Sequence, residues 1–211
     1  MNEELKARLN ESIEQLEIAK KNIQKKFAII ATIDGGTIYL RTYPIIMIFN
    51  RAVNIVDAIQ DVSRKGNILV QTALMRLLAD LPMTAYRVKA LGADDFMHRV
   101  FRKESLNYGK TPSGESLMDA KVKKQVAKDF PEFDSFYDWA CKGIHFSEFD
   151  QLATLRTGGE MIINGTIAVG RDDDATIAAI IVNCDTTRKV IDIMLSSVKK
   201  YILSLDCGNP L

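Results

Sequence analysis

Apolar residues at Leu9, Ile13, Leu16, Ile23, Phe27 and Ile30 recur at spacings of three, four and seven along the start of this chain, with charges between them. That period keeps one helical face apolar and predicts an amphipathic α-helix from about residue 3 to residue 31. Asp34-Gly-Gly36 ends it, because paired glycines disfavour helix and admit positive φ. A second helix is predicted from Pro44, which a first turn accepts, through Ile59 to near Gly66. A third spans about Leu69 to Leu91. Pro82 within it removes a backbone hydrogen bond and clashes with the preceding turn, so a kink or a split is expected there. Asp94 to Ser105 reads as a short helix, followed by a loop containing Asn107, Gly109, Pro112 and Gly114.

Ser116-Leu-Met-Asp119 has the form of a capping box with Asp in place of Glu or Gln, and predicts a helix that ends before Pro131. Asp134 is expected to cap a further helix through Trp139 to about Lys142, and Ser147 to Leu155 reads as one more short helix. The β pattern is confined to Met161-Ile-Ile-Asn-Gly-Thr-Ile-Ala-Val169, where Asn164-Gly165 between β-branched runs predicts a type I′ hairpin. Asp172, Asp173 and Asp174 then place negative charge at the start of a last helix, from Ala175 to about Leu205. The predicted fold class is all-α. It is a single helical domain over 1–211, a bundle with one small β-hairpin, at about 160–170, inserted before a long C-terminal helix.

Composition adds limits. The 211 residues, 47 % hydrophobic and 26 % charged, match an ordinary globular domain whose core needs no disulfide or metal staple. A net charge of +1 argues against a broad nucleic-acid surface, although a local patch fits within a balanced total. Cys141, Cys184 and Cys207 are odd in number and form no C-x-x-C pair, and the N-terminus has no signal-peptide pattern. Both favour a reducing, cytoplasmic setting. The longest apolar run, Pro44-Ile-Ile-Met-Ile-Phe49, is too short for a membrane span, so no membrane partner is expected.

Phe136-Tyr-Asp-Trp-Ala-Cys-Lys-Gly-Ile-His-Phe-Ser147 gathers the one tryptophan, one of the two histidines and one of the three cysteines at a helix end. His145 can donate, accept or carry charge near neutral pH, and Ser147 adds a hydroxyl; the plain alternative is a histidine that orders the helix junction. These two are the candidate catalytic residues. Cys141 and His145, four apart, would share a helical face as nucleophile and base, but Gly143 lies between them and no third orienting group is identifiable. Cys141, His145 and the distant His98 are too few for zinc, so neither metal nor cofactor is expected. Arg76 and Asp80 stand at i and i+4 in an apolar segment, as an internal ion pair or as an arginine aimed at an anionic ligand and fixed by Asp80. Arg51 repeats the theme of a lone charge among apolar residues, with Asp57 and Asp61 as expected surface partners. Lys20-Lys21 and Lys25-Lys26 read as a solvated face. The Leu9-Ile13-Leu16 stripe reads as core, or as the seam of a homodimer. No P-loop, G-x-S-x-G or H-E-x-x-H pattern occurs.

Arg76 and Asp80 on an apolar helix, Ile144-His-Phe-Ser147, and a hairpin before a long terminal helix together resemble a known group. They are similar to bacterial all-helical proteins of unknown function related to the higher-eukaryote and prokaryote nucleotide-binding (HEPN) superfamily, over about residues 40 to 205. The resemblance implies an arginine and an acidic residue on a core helix, a nucleotide or RNA ligand, and a stress or phage-defence setting. Catalytic members of that superfamily place an arginine four to six residues before a histidine, usually completed across a dimer. Here Trp139, Ala140 and Cys141 precede His145, and Ala93, Phe96 and Met97 precede His98. A ribonuclease would therefore need a non-standard active site. The expectation is an anion- or nucleotide-binding helical protein, with a non-enzymatic homodimeric interaction module as the alternative.

Overall fold

The computed structural model describes residues 3–32, 38–142 and 174–206. These hold seven helices and no named strand: α1 (Glu3–Thr32), α2 (Tyr43–Arg64), α3 (Ile68–Leu91), α4 (Ala93–Phe101), α5 (Asp119–Asp129), α6 (Glu132–Lys142) and α7 (Asp174–Asp206). The all-α expectation holds for them. The hairpin expected at about 160–170 and the short helix expected over Ser147 to Leu155 lie outside the described residues.

Four of the helices close a ring, α1 against α2, α2 against α3, α3 against α7, and α7 back against α1. The apolar stripe explains α1: Ile13, Leu16, Ile23 and Ile30 are buried, so the residues that could have formed a dimer seam mostly pack inside their own chain. Charged groups at the edge of that buried face are not fully solvated either. Lys20 reaches Asp57 at 2.6 Å and Glu17 at 2.7 Å, and these partners raise its pKa. Gln60 of α2 donates to the Ile13 carbonyl at 3.2 Å. Contacts of Ile13 with Gln60 and of Lys20 with Asp57 make α1 and α2 antiparallel. A short link over 65–67, in which the Asn67 side chain accepts from the Val70 N–H, turns the chain into α3.

α7 runs parallel to α3. Asn183 donates to Gln71 at 2.8 Å near the start of both helices, while Ile193 clusters with Ala79 and Met83 further along. At the far end the Tyr201 hydroxyl donates to the carbonyl of Arg41, just before α2. Parallel neighbours need a long crossover, and residues 92–173 supply it. Gly92, at φ +80°, ends α3 in a conformation that disfavours a side chain. α5 and α6 then fold back over the outer face of α3.

α3 is therefore the central helix, packed against α2, α4, α5, α6 and α7. By length and composition alone it could cross a membrane, but it serves as the core helix of the bundle. Pro82 does not split it. Packing of helices around Pro82, itself buried, carries α3 through the missing hydrogen bond. Two expected caps also differ. Met118 is the N-cap residue of α5 and, with no side-chain oxygen, makes no cap bond, while Asp119 is drawn to Arg87. α6 opens at Glu132, which leaves Asp134 inside the first turn, 2.9 Å from Lys123.

Between α2, α3 and α7 the core holds a polar cluster. Gln71 donates to Ser63 at 2.9 Å and lies 3.5 Å from the Cys184 sulfur, while its carbonyl accepts from Asn183. Each polar group thereby enters the core with a partner, as burial requires. Gln71→Leu removes the acceptor of Asn183 and should cost about 1–3 kcal/mol in urea unfolding. Burial pushes the Cys184 thiol up to about 11. The unfolded thiol ionises first, so this residue's contribution to stability is complete below about pH 9 and falls as pH rises toward 11. Melts of wild type and Cys184→Ser across that window should differ in slope.

Candidate functional site

Polar residues of α3 follow one stripe, Arg76, Asp80, Thr84 and Arg87, at spacings of four, four and three. On a helix of 3.6 residues per turn these stay on one face. That face looks toward the first turns of α2 and toward α5, across a cleft of about 400 Å³. Pro44, Met47, Ile48, Leu81 and Phe96 form its apolar walls, and Arg51, Asn107 and Asp119 complete its polar lining.

Arg87 is 3 % exposed. Its Nε and one Nη donate to the Leu117 carbonyl at 3.3 and 3.2 Å, and that same Nη reaches Asp119 Oδ1 at 2.6 Å. The second oxygen of Asp119 lies 4.0 Å from Arg76. Arg76 is more heavily engaged. It pairs with Asp80, donates to the Tyr137 hydroxyl, and places Nε 3.1 Å from the Cys141 sulfur. Its guanidinium carbon sits 4.1 Å from the centre of the Tyr137 ring, a cation–π contact. Burial pulls the pKa of Arg76 down, but the charge and hydrogen bond of Asp80 outweigh it and the net shift is upward. Burial also pushes the Tyr137 hydroxyl well up, with Arg76 opposing, so it stays a neutral phenol.

Arg51 differs. It is exposed, on the α2 side of the cleft, and makes no hydrogen bond or ion pair among the described residues. Its expected partners are taken, Asp57 by Lys20 and Asp61 by Arg64. Among the described residues lining the cleft, three arginines against two aspartates leave one net positive charge. Arg76 and Asp80 thus form the expected ion pair and also line a cavity. The structure adds Arg87 and Asp119, which sequence reasoning missed as site residues. Extending the i+4 pattern past Asp80 would have found Arg87, but nothing local to Asp119 separates an ion-pair partner from a helix cap.

His145 and Ser147 lie outside the described residues. His98 is exposed on α4 and does not line the cleft. Cys141 touches Arg76 through its sulfur. Among the described residues no three His, Cys, Asp or Glu side chains converge on a metal-sized site. No family model, curated protein or solved structure matches this chain.

Asp119→Ala leaves the Arg87 charge buried against one carbonyl. Removing a partner from a fully buried pair costs about 3–5 kcal/mol. Asp119 is 38 % exposed, so the expected loss is smaller, about 2–3 kcal/mol by urea unfolding.

Proposed function

We propose that this protein binds a small anionic ligand in the cleft between α2 and α3, with a nucleotide as the narrower form of the reading. One observation carries it: the unbalanced charge of Arg51 at the mouth of a cleft whose other two arginines are already neutralised. Arg76 and Arg87 are held and neutralised by Asp80 and Asp119, which leaves the net positive charge to Arg51. Arg51 offers a free planar fork suited to carboxylate or phosphate. A volume of about 400 Å³ falls at the small end of ligand pockets. Arg76 and Asp80 on the core helix also support the proposed relation to the HEPN-like helical proteins, and with it a cytosolic stress or phage-defence role. His145 and Ser147, which lie outside the described residues, would add hydrogen bonding or proton transfer at the pocket in this reading, and catalysis in the ribonuclease version of that relation.

A homodimeric interaction module is the second reading. Ile29 of α1 and Val182 of α7, 62 % and 61 % exposed, favour it.

Calorimetric titration at low salt with acetate, pyrophosphate and adenosine monophosphate tests the first reading. Saturable binding of at least one of them is expected. Arg51→Ala should weaken it about 10- to 100-fold, the size of a lost charge-assisted hydrogen bond. The melting temperature of the unliganded variant should stay at the wild-type value. Absence of binding by every anion at millimolar concentration, or equal binding by the variant, would overturn the proposal.

A further inference from the structure

The arginine cleft does not end at Arg51. A second, shallower cavity of about 530 Å³ continues from it along the outer seam of α2 and α3, and Met47 and Arg51 line both. Its walls are mainly apolar: Met47, Ile55 and Ala58 from α2 face Leu74 and Leu77 from α3. Met47 and Leu77, at 39 % and 40 % exposure, leave apolar surface open to water. From Arg51 to Ala58 the seam runs about 10 Å at the helical rise of 1.5 Å per residue. One end of the seam is therefore cationic and the remainder apolar, with the free guanidinium at the junction.

Resting on the anion-binding reading above, we infer that the ligand is a monocarboxylate with an extended aliphatic chain. Its head group sits against Arg51 at the arginine cleft, and its chain lies in the α2–α3 seam toward Ala58. Charge selects the head. Among the described lining residues three arginines and two aspartates leave one positive charge, which a carboxylate neutralises and a phosphate monoester, at about −1.5 to −2, exceeds. Lining selects the tail, because the seam is walled mainly by apolar side chains and its uncharged polar groups, Asn50 and Asn54, are few. The Asn54 amide already donates to the Asn50 carbonyl at 2.8 Å.

The test is calorimetric titration of the intact chain with acetate, hexanoate and decanoate, each below its micellar concentration, and with decanol as the neutral control. Affinity should rise about two- to fourfold for each methylene that enters the seam, and decanol should bind more weakly than decanoate. Leu77→Glu, which places a carboxylate in the seam that Arg51 also lines, should weaken acetate binding and abolish the chain-length dependence. Leu77→Gln, which adds no charge, should flatten it in part, and a circular dichroism melt of both variants checks folding. Acetate binding without any gain along the series would overturn the inference and leave the anion-binding reading standing. Failure of every carboxylate, with pyrophosphate or adenosine monophosphate still binding, would overturn it in the same way. Failure of every anion overturns both. Dimerisation of the wild type that Leu77→Glu abolishes would show a second copy on the seam and overturn the inference.

Discussion

A guanidinium that is 3 % exposed must find its counter-charge and acceptors inside the fold, and Arg87 finds both at the start of α5. An ion buried without such partners costs several kcal/mol. The seating of α5 on α3 therefore answers an electrostatic demand as well as an apolar one. Asp119 passes the constraint to Arg76, and Arg76 passes it to Tyr137 and Cys141 on α6. Ala79, Met83, Val122, Val126 and Phe133 supply the apolar area of that layer. They do not fix its register, since apolar contact is non-directional. The ionic chain does, because its hydrogen bonds have direction.

The same helix meets a second polar demand at its start. Gln71 is fully buried where α2, α3 and α7 meet, and Ser63, Asn183 and Cys184 satisfy it. Its position pairs the beginning of α3 with the beginning of α7, which suits a parallel arrangement. An apolar core alone could accommodate α7 in either direction. A buried amide that must meet Asn183 is harder to satisfy with the helix reversed. Two polar clusters on one central helix thus tie down its neighbours, one toward the bundle and one toward the covering layer.

Helical periodicity made most of this architecture legible in the sequence. α1, α2, α3 and α7 fall within a residue or two of their expected limits, because stripes such as Ile13-Leu16-Ile23 depend only on local spacing. The split considered at Pro82 does not occur, because the proline's cost is local while the packing that offsets it comes from helices distant in sequence. Lys20 and Arg51 were misjudged for the complementary reason. Lys20 is drawn to Asp57 on another helix and so removes one partner expected for Arg51. Ion pairs between helices follow tertiary geometry, which spacing within one helix cannot supply. Arg76 and Asp80 were legible because their partnership is i,i+4. Asp119, thirty-two residues from Arg87, was not.

Division of labour among the three arginines governs what the cleft can do. Arg76 and Arg87 are engaged by carboxylates, a carbonyl, a phenol and a thiol, so neither can turn to a ligand without leaving a buried group unpaired. They are fixed, charge-neutralised parts of the wall. Arg51 surrenders nothing when it binds, but at an exposed position salt and water weaken its pull, and charges beyond about 8 Å are largely screened at physiological ionic strength. A ligand that only met Arg51 would be held weakly. Affinity has to come from excluding water around the ion pair, and the groups placed to do so are the apolar walls on either side, Met47 with Leu77 along the seam and Pro44 with Leu81 in the cleft. The ligand's own apolar body must complete the enclosure, which ties the strength of the charge contact to the shape of the uncharged part of the molecule.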